Sequence, residues 1–461
     1  MPTSPTREEL LQIEAKYCSQ GDTAHYNDPL QIFAECWDVY LRDHDGNQYL
    51  DFQMAYSSAN FGYRNQHFQK ALLQQLNTLP QLASEYVTPE KILLSQSIDQ
   101  TAEKAWNIHG RIHFNVGGAQ AIDDSLKLVA ANKGSRRVFA FEGSYHGRTL
   151  GASEITSSFR YRNRYGPFAQ RAHFIPFPYC FRCPYGKRRE DCEMYCVGQI
   201  ARLFENEYHG VIDPRDGQSE FVAFYVEAVQ GTGGYIVPPP DYFKELKKIL
   251  DQFGILFVVD EIQMGFFRTG TFWAIEHFNV TPDIVVFGKS LTNGLNALSG
   301  LWAKEELISP ERFPPGSTHS TFSSNPLGVR LGCATFEWLA EKNYEESVPR
   351  LGSYLIEGLK EIQKRHPEIG DIDGLGLAVR VEICQSDGFT PNRELTCRIK
   401  DMALNKSVDT DVGPMRLVLD IGGYYKNVFT LAPGLDVDRA TIDRFLRIFE
   451  VILTEAKRSR E

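Results

Sequence analysis

The chain of 461 residues predicts an α/β protein, with a large domain on a mostly parallel sheet covered by helices and a smaller α+β domain after it. Three observations carry that expectation. Short apolar runs recur at Arg137–Phe141, Phe221–Val226, 255–259 and Ile284–Phe287, with helical patterns between them. Their apolar residues are continuous rather than alternating, as in strands covered on both faces. Polar residues follow the runs: Glu227 after Val226, Asp260 after Val259, and Lys289 two positions after Phe287. In open α/β sheets ligands bind outside the carboxyl ends of the strands, so these three residues mark the candidate site.

The elements follow in order. Residues 1–35 read as a partly helical arm. Residues 37–43 alternate before the turn residues Asp45-Gly46-Asn47, which predicts a hairpin. Helical periods dominate from about residue 67 to 132, and Ile122, Leu126 and Val129 share one helical face. The apolar strand runs come next. After about residue 340 helices lengthen and strands shorten, and Ile442, Phe445, Phe449 and Ile452 form the apolar face of a last helix. The expected division is an arm and hairpin over 1–65 packing with the small domain, a large domain over 66–340, and a small domain over 341–461.

Bulk numbers narrow the function classes. Hydrophobic residues make up 42% and charged residues 23%, the balance of an ordinary globular chain. A net charge of −10 argues against nucleic acid as a partner. No apolar stretch approaches the ~20 residues of a membrane helix, and the first residues lack the pattern of a secretory signal. The expected compartment is the cytoplasm. Nine cysteines are too few for a general disulfide framework at this length.

Lys289 ends its apolar run where an unpaired ammonium is costly to desolvate, so it is a candidate for covalent chemistry with an aldehyde. Asp260, ending the neighbouring run, could hold a cationic ring nitrogen. Together they suggest pyridoxal 5'-phosphate (PLP). Asn115-Val116-Gly117-Gly118-Ala119 joins a short strand to a helix, a turn that either receives a phosphate or is simply rich in glycine. In the run Tyr145-His146-Gly147-Arg148, Tyr145 could lie on a flat cofactor and Arg148 could receive a carboxylate, or both could be ordinary loop residues. Glu227 could pair with an arginine and gate the pocket, or form a structural ion pair. Tyr56, Tyr86 and Trp302 are pocket candidates by position and equally readable as core.

The run from Asp260 through Glu261-Ile262-Gln263-Met264-Gly265-Phe266-Phe267-Arg268-Thr269-Gly270, followed by Pro282-Asp283-Ile284-Val285-Val286-Phe287-Gly288-Lys289, resembles the class III aminotransferases of fold type I. The resemblance extends from about residue 37 to the C-terminus. It implies a PLP Schiff base on Lys289, Asp260 at the pyridine nitrogen and Gln263 at the ring hydroxyl. It also implies Tyr145 and Ile262 on the two ring faces, and Gly118 and Ala119 at the phosphate. Thr321 would reach the phosphate of the partner subunit in a homodimer. The implied reaction moves an amino group from an amino acid or ω-amine to a 2-oxo acid. Amino-acid racemases and an aminomutase share the same residues, and a non-catalytic protein that kept the fold is a further alternative.

Three features depart from the pattern. The phosphate turn reads Gly117-Gly118-Ala119-Gln120-Ala121-Ile122 where the family often has a serine or threonine and then Glu-Ala-Asn, so some side-chain contacts to the phosphate are lost while the backbone donors remain. Thr430 stands where members acting on γ- or δ-amino acids carry an arginine, which argues against a donor of that kind. Four cysteines, Cys180, Cys183, Cys192 and Cys196, crowd an insertion over 178–198. Their spacing suits a structural zinc or an iron–sulfur cluster; free thiols or a labile disulfide are the alternatives.

Overall fold

The computed structural model describes residues 5–23, 30–158, 161–162 and 171–458. Its centre is a sheet of seven strands in the order Gly110–Asn115, Ser299–Lys304, Ile284–Phe287, Leu256–Asp260, Phe221–Val226, Arg137–Phe141, Ala172–Ile175. Ser299–Lys304 runs antiparallel to both neighbours, and the remaining pairs are parallel. The continuous apolar runs have a direct cause. Along Leu256–Asp260, Phe257 and Val259 enter one core cluster while Leu256 and Val258 enter another on the opposite face. Both faces are covered, so the side-chain period of two leaves no polar face.

Helix Gly118–Lys133 covers one face through Ile122, Leu126, Leu128 and Val129, all buried. Helix Tyr242–Gln252 covers the other through Phe243, Leu246 and Leu250. Two strands escape a sequence reading: the edge strand Ala172–Ile175 has only four residues, and the interior strand Ser299–Lys304 carries a glycine and a terminal lysine.

A second, antiparallel sheet orders Ile369–Leu375, Ala378–Ile383, Val428–Leu431 and Asp420–Gly422. A third joins chain segments far apart. Phe33–Trp37, Tyr40–Asp43 and Gln48–Asp51 run into Gly413–Val418, which lies parallel to Gln48–Asp51. The run over 37–43 is not one strand: Asp38 adopts a left-handed φ of 47° and breaks it. The hairpin turn lies over 44–47, where the Asp43 carboxylate accepts the N–H groups of Asp45 and Asn47 and Gly46 supplies a φ of 86°. Helix Arg439–Arg458 buries Ile442, Phe445, Phe449 and Ile452, and Phe445 stacks on Phe52 at 3.9 Å between ring centroids. Among the described residues no helix is long and apolar enough to cross a membrane.

Candidate active site

The parallel strands deliver their carboxyl ends to one side of the sheet. Asp260 and Val286 are paired in register, so the next residues of these neighbouring strands emerge together. A cavity of about 710 Å³ lies there, lined by Gly118, Ala119, Tyr145, Arg148, Glu227, Asp260, Ile262, Gln263 and Lys289 among others. Every residue expected at the cofactor on sequence grounds reaches this cavity except Thr321. Thr321 lies on an exposed loop, where its carbonyl accepts from Gln81 at 3.4 Å.

Asp260 is buried and held from two sides. One carboxylate oxygen accepts the N–H of Ile262 at 3.0 Å and the other meets His146 Nδ1 at 2.8 Å. Burial works against a charge on His146, yet the Asp260 carboxylate and Glu227 outweigh it and raise its pKa. Its Nε2 has no partner among the described residues. Lys289 sits at a φ of 44° just beyond Gly288, half-buried. Burial pulls its pKa down to about 8, against the opposing pull of Asp260, Glu227 and Asp420.

Glu227 differs from expectation. It pairs with no arginine among the described residues; its oxygens accept the N–H of Gly231 at 3.1 Å and of Tyr145 at 3.2 Å. Burial raises its pKa to about 7. It therefore fixes the backbone beneath Tyr145 and the turn after its own strand. Gln263 donates to the Tyr235 hydroxyl at 2.9 Å. Arg148 lies 4.2 Å from the ring centroid of Tyr161. Trp302 is core, its indole N–H donating to Asp99 at 2.8 Å, while Tyr86 is exposed. Among the described residues no three sulfurs of the four loop cysteines lie within 4.8 Å of one another.

The residues present fit PLP. Helix Gly118–Lys133 begins at Gly117 with no side-chain cap, so its first N–H groups are left for an anion. A Cβ on Gly118 would sit 2.9 Å from Ile262 Cδ1, so any side chain there would have to push that methyl aside for the helix start to approach so closely. An amine, a buried carboxylate and an anion cradle thus share one cavity. His146 and Tyr235, which hold Asp260 and Gln263, were not found in the sequence. His146 directly follows Tyr145, but nothing local signals a contact with a residue 114 positions away.

Sheet order and strand-end residues together set the class, PLP-dependent fold type I. Comparison with known proteins narrows it: the profile described as Aminotransferase class-III matches residues 23–453, and the chain belongs to that family. It is 33% identical to a leucine/methionine racemase of Thermococcus litoralis, over 98% of this chain and 97% of that protein. It is 30% identical to an alanine/serine racemase of Pyrococcus horikoshii, over 97% and 90%. A diaminobutyrate–2-oxoglutarate aminotransferase of Haemophilus influenzae is 27% identical over 91% and 89%. Among solved structures, an aminotransferase of Bacillus anthracis superposes with a TM-score of 0.84 at 23% identity, over 98% of this chain and 100% of that one.

Proposed function

We propose that the chain is a transaminase that moves an amino group from an amino acid or ω-amine to a 2-oxo acid, with PLP at the strand ends. The observation that carries this reading is the joint opening of Lys289 and Asp260 into one cavity beside an uncapped helix N-terminus. Lys289 would hold the aldehyde carbon, Asp260 the ring nitrogen, Gln263 the ring hydroxyl, Tyr145 and Ile262 the ring faces, and Gly118 and Ala119 the phosphate. When bound, PLP supplies an electron sink for charge developing at the substrate carbon.

The protein's own groups do the rest. With its pKa lowered to about 8, Lys289 Nζ loses its proton more easily than an ordinary lysine, and once neutral it can take a proton from the substrate carbon and return it elsewhere. Asp260, braced by His146, favours a proton on the ring nitrogen. Arg148 would receive the substrate carboxylate. Thr430 donates to Asp420 at 3.0 Å, so no cation stands at that position for a second carboxylate.

A homodimer in which Thr321 completes the partner's site is part of the proposal. Leu73, Leu76, Tyr86, Ile92, Leu93 and Phe322 are exposed on the single chain, apolar side chains of the kind that a subunit contact would cover.

Racemisation is the second reading, favoured by the names of the relatives at 33% and 30% identity. One experiment separates the two. The PLP-loaded protein is given single enantiomers of a panel of amino acids, with and without 2-oxoglutarate or pyruvate. A transaminase stops after converting its own cofactor unless the acceptor is added. A racemase forms the mirror-image amino acid without any acceptor, and that result would overturn the leading proposal.

A further inference from the structure

Four of the nine cysteines lie in the order Cys180-x2-Cys183-x8-Cys192-x3-Cys196, and the chemistry at Lys289 uses none of them. The first pair brackets a short 3-10 turn, after which the Gly186 N–H donates to the Cys183 carbonyl at 3.0 Å. Between the second pair, Glu193 and Met194 both adopt left-handed φ values, 47° and 55°, and the Tyr195 N–H donates to the Cys192 carbonyl at 2.8 Å. Two successive left-handed residues without glycine are costly, and such backbone persists where its surroundings over-determine it. These turns bring all four cysteines to the lining of one cavity of about 20 Å³. None of the four is in a disulfide.

We propose that this loop is a structural site for one zinc ion held by Cys180, Cys183, Cys192 and Cys196. Paired thiols at x2 and x3 spacing suit tetrahedral coordination by four sulfurs. The cavity that these residues line is small, about 20 Å³. Zinc–sulfur bonds of about 2.3 Å would draw the sulfurs to about 3.8 Å from one another, and no three of them lie within 4.8 Å of one another among the described residues. The thiols would have to close in on the cavity that all four residues already line.

The residues beside the thiols show what the ion would stiffen. The Tyr179 hydroxyl and the Arg182 guanidinium both donate to Glu382, in strand Ala378–Ile383 of the four-stranded sheet. Tyr179 also meets Tyr424 edge-on at 6.1 Å, and Tyr424 donates to Gln230 Oε1 at 2.9 Å. Gln230 precedes Gly231, whose N–H holds Glu227. The zinc would therefore lock an insertion that ties the C-terminal sheet to the rim of the active site. It would take no part in the reaction, and the proposal stands or falls apart from the reading of Lys289.

The test is metal analysis of the PLP-loaded protein, purified without chelator from zinc-containing medium. The expected result is about one zinc per chain, and a lower melting temperature after a chelator removes it. Cys183→Ser with Cys192→Ser should abolish the zinc and make melting insensitive to chelator, whereas Cys397→Ser should change neither. Replacement by cobalt should give the intense visible absorption of a tetrahedral thiolate site. If the double variant does not fold, the wild-type zinc count and cobalt spectrum decide alone. Zinc-free protein with four titratable thiols, a disulfide within the loop, or iron with sulfide in place of zinc would each overturn the proposal.

Discussion

The lowered pKa of Lys289 follows from where it is held. Its ammonium form is poorly solvated, so burial lowers its pKa from 10.5 to about 8 despite nearby carboxylates. The stability consequence has a definite sign. Between pH 8 and 10.5 the unfolded chain keeps a proton on this amine that the folded chain has released, so raising the pH through that window stabilises the PLP-free protein. Urea melts of PLP-free wild type and Lys289→Met across this range should show a steeper gain with pH in the wild type; equal slopes would contradict the assignment. His146 acts one step removed, holding the Asp260 carboxylate at 2.8 Å. A hydrogen bond to a charged group contributes about 1.5–3 kcal/mol. His146→Ala should therefore weaken PLP binding by about 10- to 100-fold, measured by cofactor titration with the fold intact by circular dichroism.

At the scale of elements, the strands Phe221–Val226, Leu256–Asp260 and Ile284–Phe287 each place one polar residue at the cavity, Glu227, Asp260 and Lys289, and the helix beginning at Gly118 aims its N-terminus there. Gly118→Val would press a branched side chain against Ile262, which already lies 2.9 Å from where a Cβ would be. The expected cost is about 1–3 kcal/mol of stability together with loss of PLP retention; unchanged cofactor affinity would remove the phosphate cradle from the account. These elements were legible because their apolar runs are continuous and each ends in a conspicuous residue. Lys289, Asp260 and the Gly117-Gly118 turn needed only local sequence. What stayed hidden depends on contacts across the chain. Glu227 has the local look of an ion-pair partner, yet its oxygens are taken by the backbone of Tyr145 and Gly231. Asp38 interrupts a strand through a φ that its own neighbours do not announce. Trp302 looked available for a pocket because nothing nearby in sequence reveals Asp99, its buried acceptor.

Across the whole molecule, Arg268 shows how distant segments are joined. It is fully buried, and it donates to the carbonyls of Leu377 at 3.2 Å and Pro433 at 2.6 Å and to the side chain of Asn60. Burial lowers its pKa to about 10, still well above neutrality, so it remains charged at neutral pH. Arg268→Ala would orphan those acceptors and leave a cavity, a cost of roughly 3 kcal/mol or more in chemical denaturation. The central claim is narrower, that Lys289 and Asp260 serve one PLP molecule. It is tested by reducing the PLP-loaded protein with borohydride and mapping its peptides by mass spectrometry. The account predicts a cofactor-sized mass increment on the peptide carrying Lys289, absent from Lys289→Ala and weakened by Asp260→Ala. An increment on another lysine, or none at all, would contradict it.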